Sequence, residues 1–235
     1  MKRRGLLADN LLLAALPGSE RRALLACSEK IELVAGDTLT ESGERIRHVF
    51  FPTSGFISLI TPIERNAQLE VGLVGNEGML GVSLILGVQT SPVGALVQGS
   101  GSAWRTDVTA FRVALEHSPA LARSLCRYLY VLVDLLAQTA VCGRFHLVEE
   151  RLARWLLMTR DRAHSTRFHI THELLAQTLG VRREGVTQAA ITLRDRNVIR
   201  YSRGDLEILD VQRLEATACA CYASAKDTYA RVLMR

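Results

Sequence analysis

The stretch from residue 171 to residue 208 holds the side chains best suited to chemistry, and that chemistry is recognition rather than bond making. Arg182, Arg183, Glu184, Thr187 and Gln188 recur at intervals that share the outward, N-terminal part of one helix. Arg donates two hydrogen bonds to guanine, Glu accepts from cytosine N4, and Gln pairs with adenine. The N-terminus of such a helix also favours a phosphate. Downstream, Val198-Ile199-Arg200-Tyr201, Ser202-Arg203-Gly204-Asp205 and Leu206-Glu207-Ile208 read as a hairpin. Arg200 and Arg203 would place positive charge on this wing for phosphate contact, or stand there as solvated surface arginines. The sequence contains no nucleophile elbow, phosphate loop, zinc motif or paired-carboxylate signature. It therefore predicts no catalytic residue, no enzyme and no metal ligand.

The elements that must position these side chains follow from local spacing. Residues 172–191 fit a helix-turn-helix with a four-residue turn. Thr171 caps the first helix, small Ala176 lets the two helices approach, and Gly180 supplies the left-handed turn conformation. Leu175, Leu179, Val181, Val186 and Ala189 fall where the pair needs inward apolar groups. Upstream, 147–158 reads as an amphipathic helix and 159–167 as a polar linker. Asp107 caps a helix over 108–116. Ser118-Pro119 opens a further helix with no Gly or Pro until Gly143, spanning ~37 Å at ~1.5 Å per residue. On it Leu121, Leu125, Tyr128, Leu132, Leu135, Thr139 and Cys142 alternate in steps of four and three. That is an a/d seam, expected to face a second copy of the chain. A second stripe of Leu129, Val133, Leu136 and Ala140 is expected to face the chain's own N-terminal domain. There, from 31 to about 105, short apolar runs separated by glycine-rich turn signals predict six or more strands in an antiparallel barrel or sandwich. A short helix over 11–26, with Ser19 capping its second part, precedes them.

Composition agrees with two units of different character. Of 235 residues, 48% are hydrophobic and 23% charged, with a net charge of +5. Residues 1–140 carry 13 basic and 13 acidic side chains, whereas 141–235 carry 16 and 11, so the whole excess lies C-terminally. A neutral domain joined to a basic one suggests a polyanionic partner. No apolar run approaches the ~18 residues of a membrane span, and Asp9 and Asn10 interrupt the basic N-terminus before it can read as a signal peptide. No membrane partner and a cytoplasmic location are expected. The five cysteines (Cys27, Cys126, Cys142, Cys219, Cys221) show no CxxC pair, so neither a disulfide framework nor a zinc site is indicated, and the thiols are expected to be inert.

The order of elements resembles the Crp/Fnr family of bacterial transcription regulators over nearly the whole chain. The residues that carry the resemblance are Leu13-Ala14-Ala15-Leu16-Pro17, Ala35-Gly36-Asp37, Val49-Phe50-Phe51-Pro52-Thr53-Ser54-Gly55, Gly75-Asn76-Glu77-Gly78-Met79-Leu80-Gly81 and Gly180-Val181-Arg182-Arg183-Glu184-Gly185-Val186. The resemblance implies an α+β chain with an N-terminal antiparallel β-roll, jelly-roll-like and of the cyclic-nucleotide-binding-like type, over 1–118. A dimerisation helix over 119–143 and a C-terminal winged helix-turn-helix over 144–235 would follow. It further implies a homodimer on a palindromic site in double-stranded DNA, acting on RNA polymerase. An effector pocket would fall at Gly75, Glu77, Gly81, Val82, Ser91 and Val93. Members that bind cyclic AMP carry a Gly-Glu pair for the ribose and an Arg for the cyclic phosphate. Here Gly81-Val82 stands in the first place and no Arg occurs between Arg65 and Arg105. Cyclic AMP in that pose is therefore disfavoured. The cysteine cluster of oxygen-sensing members is absent and the six His mark no haem ligand, so no cofactor is expected. In the recognition helix Gln188 replaces a second Arg and Gly185 a Thr or Ser, which suggests a different half-site. The alternative is a sensor or protein-interaction module whose helix-turn-helix no longer reads DNA.

Overall fold

A computed structural model of the chain describes residues 10–63 and 68–234. Two short helices, α1 (Leu11–Ala14) and α2 (Gly18–Ala26), lead into strands β1 (Ser28–Leu33), β2 (Thr38–Thr40), β3 (His48–Pro62), β4 (Gln68–Val74) and β5 (Gly94–Asp107), with a 3-10 turn at Val82–Leu86. The sheet runs β1-β5-β3-β4, with β2 also on β5, and every pairing is antiparallel. Two of the glycine-rich turn signals in the sequence, Pro52–Gly55 and Gln98–Gly101, are instead bulges inside two long strands. There β3 and β5 pair along most of their length, with register shifts between Pro52 and Ile57. A Cβ on Gly55 would collide with the Gly99 and Ser100 carbonyls, and one on Gly101 with the backbone of Ser54. The glycines serve close backbone approach, not chain reversal.

Asp107 Oδ1 accepts from Thr109 N at 2.7 Å and starts α3 (Val108–His117). Ser118 Oγ then accepts from Leu121 N at 3.1 Å, with Pro119 at the first helical position, and starts α4 (Pro119–Phe145). The two apolar stripes of α4 take the opposite sides from those expected. Leu121, Leu125, Tyr128, Leu132, Leu135 and Cys142 are buried within the protomer, and Thr139 is half-buried beside Arg154. Leu121, Leu125, Tyr128 and Leu132 pack with Phe51, Met79 and Phe111 of the β-roll. The exposed row is Cys126, Leu129, Val133, Leu136 and Ala140, with Leu129 half-buried, and Val133 is 58% and Leu136 43% exposed. Both rows keep the seven-residue repeat, so the repeat alone could not tell which one the protomer itself would cover. By length and composition α4 could span a bilayer, but its buried row is core.

Helix α5 (Val148–Ala163) takes up the first half of the expected polar linker, which leaves only residues 164–166 between it and the next strand. Thr159 and Arg162 are buried there, and Arg162 Nε lies 2.8 Å from Glu77 Oε1 of the β-roll. Then come β6 (Arg167–His169), α6 (His172–Leu179), α7 (Arg183–Asp195), β7 (Ile199–Ser202), β8 (Asp205–Ile208), α8 (Val211–Thr217) and α9 (Cys221–Leu233). The wing is a three-stranded sheet, β6-β8-β7, one strand larger than the expected hairpin. Helix α9, not foreseen, returns to α4, where Ala225, Tyr229, Val232 and Leu233 cover Val131 and Leu135. The C-terminal core also takes in Phe56 and Leu73 of the β-roll, so the two units share apolar packing.

Candidate nucleic-acid interface

Helix α6 begins at Thr171, whose Oγ1 accepts from Leu174 N at 3.2 Å, and ends at Gly180 with φ 62° and ψ 42°. Val181 N donates back to Ala176 O at 3.0 Å, which closes the helix C-terminus. The connection to α7 is three residues, 180–182, one fewer than expected. Val186, Ala189, Ala190 and Leu193 turn α7 inward onto Leu175, Leu179 and Leu206. That fixes which face remains outside. Arg182, Arg183, Glu184 and Gln188 are exposed, and among the described residues their side chains make no hydrogen bond or ion pair. No side chain caps α7, so its first N–H groups also point outward unsatisfied. Thr187 differs from its neighbours. Its hydroxyl donates to Arg183 O at 3.0 Å, so the 3.0 Å contact with His172 is donated by His172 Nδ1–H. Burial, with Arg183 nearby, holds the His172 ring below its ordinary value and hence neutral at pH 7. The ring stacks on Tyr201 of the wing at 4.5 Å, and Tyr201 OH donates to Ile170 O at 2.7 Å. Thr187 thus ties the outward helix to the wing through His172 and Tyr201.

In the wing, Arg200 Nη1 pairs with Glu207 Oε2 at 2.6 Å and Arg167 Nη2 with Glu207 Oε1 at 2.9 Å. Arg203 sits exposed at the turn with φ 51°, followed by Gly204 at φ 91°, the two-residue geometry of a tight hairpin. Ile170 N donates to Gly204 O at 2.7 Å, which sets this turn beside the start of α6.

The residues expected to line one effector pocket separate into two places. Gly75 and Glu77 face the C-terminal unit, Glu77 on Arg162 and Tyr229 OH, and a Cβ on Gly75 would meet the Arg162 side chain. Gly81, Val82, Ser91 and Val93 instead border a cavity of about 220 Å³ between the roll and α4, with Leu59, Val71, Leu129, Leu132, Val133 and Leu136. Among the described residues this lining holds no Arg or Lys. A cyclic phosphate held there would meet no cation among the described residues.

A grouping absent from the sequence reading lies at the end of α4. Cys142, His146, Cys219 and Cys221 bring one donor atom each within 4.8 Å of one another. The signal was present only as two short motifs, Cys142-x-x-x-His146 and Cys219-x-Cys221, far apart in the chain.

Residues 150–217 match the family model of the Crp-like helix-turn-helix domain. FixK2 from Bradyrhizobium japonicum is similar in fold (TM-score 0.69, 14% identity, covering 82% of this chain and 98% of that one). So are a CRP/FNR-family transcriptional regulator from Thermus thermophilus (TM-score 0.67, 21% identity, 81% and 98%) and a putative crp/fnr-family regulator from Eubacterium rectale (TM-score 0.66, 17% identity, 88% and 96%). Among curated proteins none matches the sequence. Residues 150–217 are thus a Crp-like helix-turn-helix domain, and the described residues share the fold of these proteins. The Thermus thermophilus and Eubacterium rectale proteins are described as transcriptional regulators.

Proposed function

We propose that the chain is a sequence-specific regulator that binds double-stranded DNA as a homodimer, with α7 in the major groove. The observation that carries this is the row Arg182, Arg183, Glu184 and Gln188, left without intramolecular partners on a helix whose other face is core. Arg183 and Glu184 stand nearest the base edges, as a guanine donor and a cytosine acceptor. Phosphates meet the uncapped start of α7, the Thr171 end of α6, and Arg203 at the wing turn. Arg200 contributes only by leaving Glu207. Thr187 supports the row from behind rather than reading a base.

The dimer forms along the exposed row of α4, which replaces the buried one. Leu129, Val133 and Leu136 also border the cavity beneath the roll. An effector there would touch both the sensor and the dimer contact, and it would be apolar, since the lining among the described residues is almost wholly apolar. Contact with RNA polymerase follows from the class of regulator.

Selection of bound duplexes from a random pool, using the full-length chain, tests the reading. Recovery of a palindrome, with affinity falling steeply as salt rises, supports it. Enrichment of no sequence would leave a module whose helix-turn-helix serves protein contact.

A further inference from the structure

We propose that Cys142, His146, Cys219 and Cys221 form a structural site for a single zinc ion, bound as a tetrahedral complex of three sulfurs and one nitrogen. Cys142 Sγ and Cys219 Sγ lie 3.5 Å apart, and Cys221 Sγ and His146 Nδ1 3.7 Å apart. Zinc bonds of about 2.3 Å to sulfur and about 2.0–2.1 Å to nitrogen give tetrahedral edges of roughly 3.5–3.8 Å. Two of the six donor pairs already stand at that spacing, and all four donor atoms lie within 4.8 Å of one another. A [4Fe–4S] cluster gives each cysteine its own iron and would hold the sulfurs wider apart.

Local structure explains the arrangement. His146 is the residue that ends α4, and its N–H donates to Cys142 O at 3.3 Å, which holds it beside Cys142. Cys219 and Cys221 flank Ala220, the residue that starts α9, where the chain turns from extended to helical. The three cysteines form a buried cluster of their own.

Charge supplies an independent argument. Arg154 is buried beside the cluster and no carboxylate among the described residues pairs with it. Its Nε has no partner, and its guanidinium reaches only Thr139 Oγ1, at 3.5 Å. The Glu70 carboxylate acts on it only at a distance, without an ion pair, and a buried cation without a close anion is costly. Three thiolates and a divalent ion sum to one negative charge, which Arg154 balances. On binding, each thiol releases its proton to solvent and His146 ligates as the neutral ring.

The ion would join the end of α4 to the start of α9 beside residues 146–147, from which the helix-turn-helix unit continues. The site stands whether or not α7 reads DNA.

The test is metal analysis of the full-length chain purified under reducing conditions, followed by cobalt(II) titration of the chelator-treated protein. The expected result is one zinc per chain and one cobalt taken up with thiolate-to-metal charge transfer and tetrahedral d–d bands. Three of the five thiols should become reactive only after chelation. Cys221→Ser should abolish these bands while its circular dichroism stays folded. Iron in place of zinc, a Cys142–Cys219 disulfide, or cobalt uptake without charge transfer in the intact chain would overturn the proposal.

Discussion

Trp155 Nε1 of α5 donates to Glu70 Oε1 of β4 at 2.8 Å, a hydrogen bond that links the helix-turn-helix unit to the β-roll. Ser58 Oγ donates to the other carboxylate oxygen at 2.6 Å. Burial nevertheless raises the Glu70 pKa to about 7, against the lowering effect of these two donors and of Arg162 and Arg154. With Arg162 on Glu77, this makes the shared wall between the units polar at two points and apolar around Phe56 and Leu73.

Because the folded-state pKa of Glu70 is raised, the native chain holds a proton that the unfolded chain releases. The associated stability is full below about pH 4.5 and is lost as pH rises through about 7. Glu70→Gln keeps the acceptor for Trp155 and removes the titration. Denaturant unfolding should show the variant gaining on the parent between pH 5 and pH 8, by up to roughly 3 kcal/mol. An unchanged difference between the two pH values would mean that Glu70 titrates as an exposed carboxylate.

The two rows of α4 give opposite outcomes. Val133→Glu, on the exposed row, should yield a folded monomer by light scattering, with thermal unfolding little altered. Leu132→Asp, on the buried row, should lower stability by several kcal/mol, since it puts an unpaired charge into a packed core. A dimer that survives Val133→Glu but is lost with an intact fold in Leu132→Asp would restore the original assignment.

The helix-turn-helix was legible in the sequence because its determinants are local. A Thr171 cap, an Ala176 contact and a Gly180 corner, with apolar residues between, specify it within twenty positions. The faces of α4 were not legible. Which row the protomer buries depends on α3, the β-roll and α9, and Ala225 and Tyr229 come from the far end of the chain. The bulged strands were misread as turns because Gly55 and Gly101 announce close approach and chain reversal with the same residue. The sulfur–imidazole cluster escaped notice because Cys142 and Cys219 are 77 residues apart and neither pair alone has metal-motif spacing.

Gly180 carries the corner between α6 and α7 with a left-handed φ of 62°, and an added Cβ there would come within 2.7 Å of Leu69 Cδ1. Gly180→Ala should cost about 1–2 kcal/mol of stability from the backbone alone. The selected DNA sequence should stay the same, because the outward row of α7 is untouched. A melting curve identical to the parent's would contradict the corner geometry.

Arg183 supplies the most direct test of a base-reading α7. Binding of the parent and Arg183→Ala to the selected duplex, and to duplexes changed one base pair at a time, should be measured at two salt concentrations. Arg183→Ala should weaken the selected site by about 1–3 kcal/mol and erase the preference at one base pair per half-site, with other positions unaffected. Equal weakening on every duplex, together with a shallower salt dependence, would make Arg183 a phosphate contact and contradict the account.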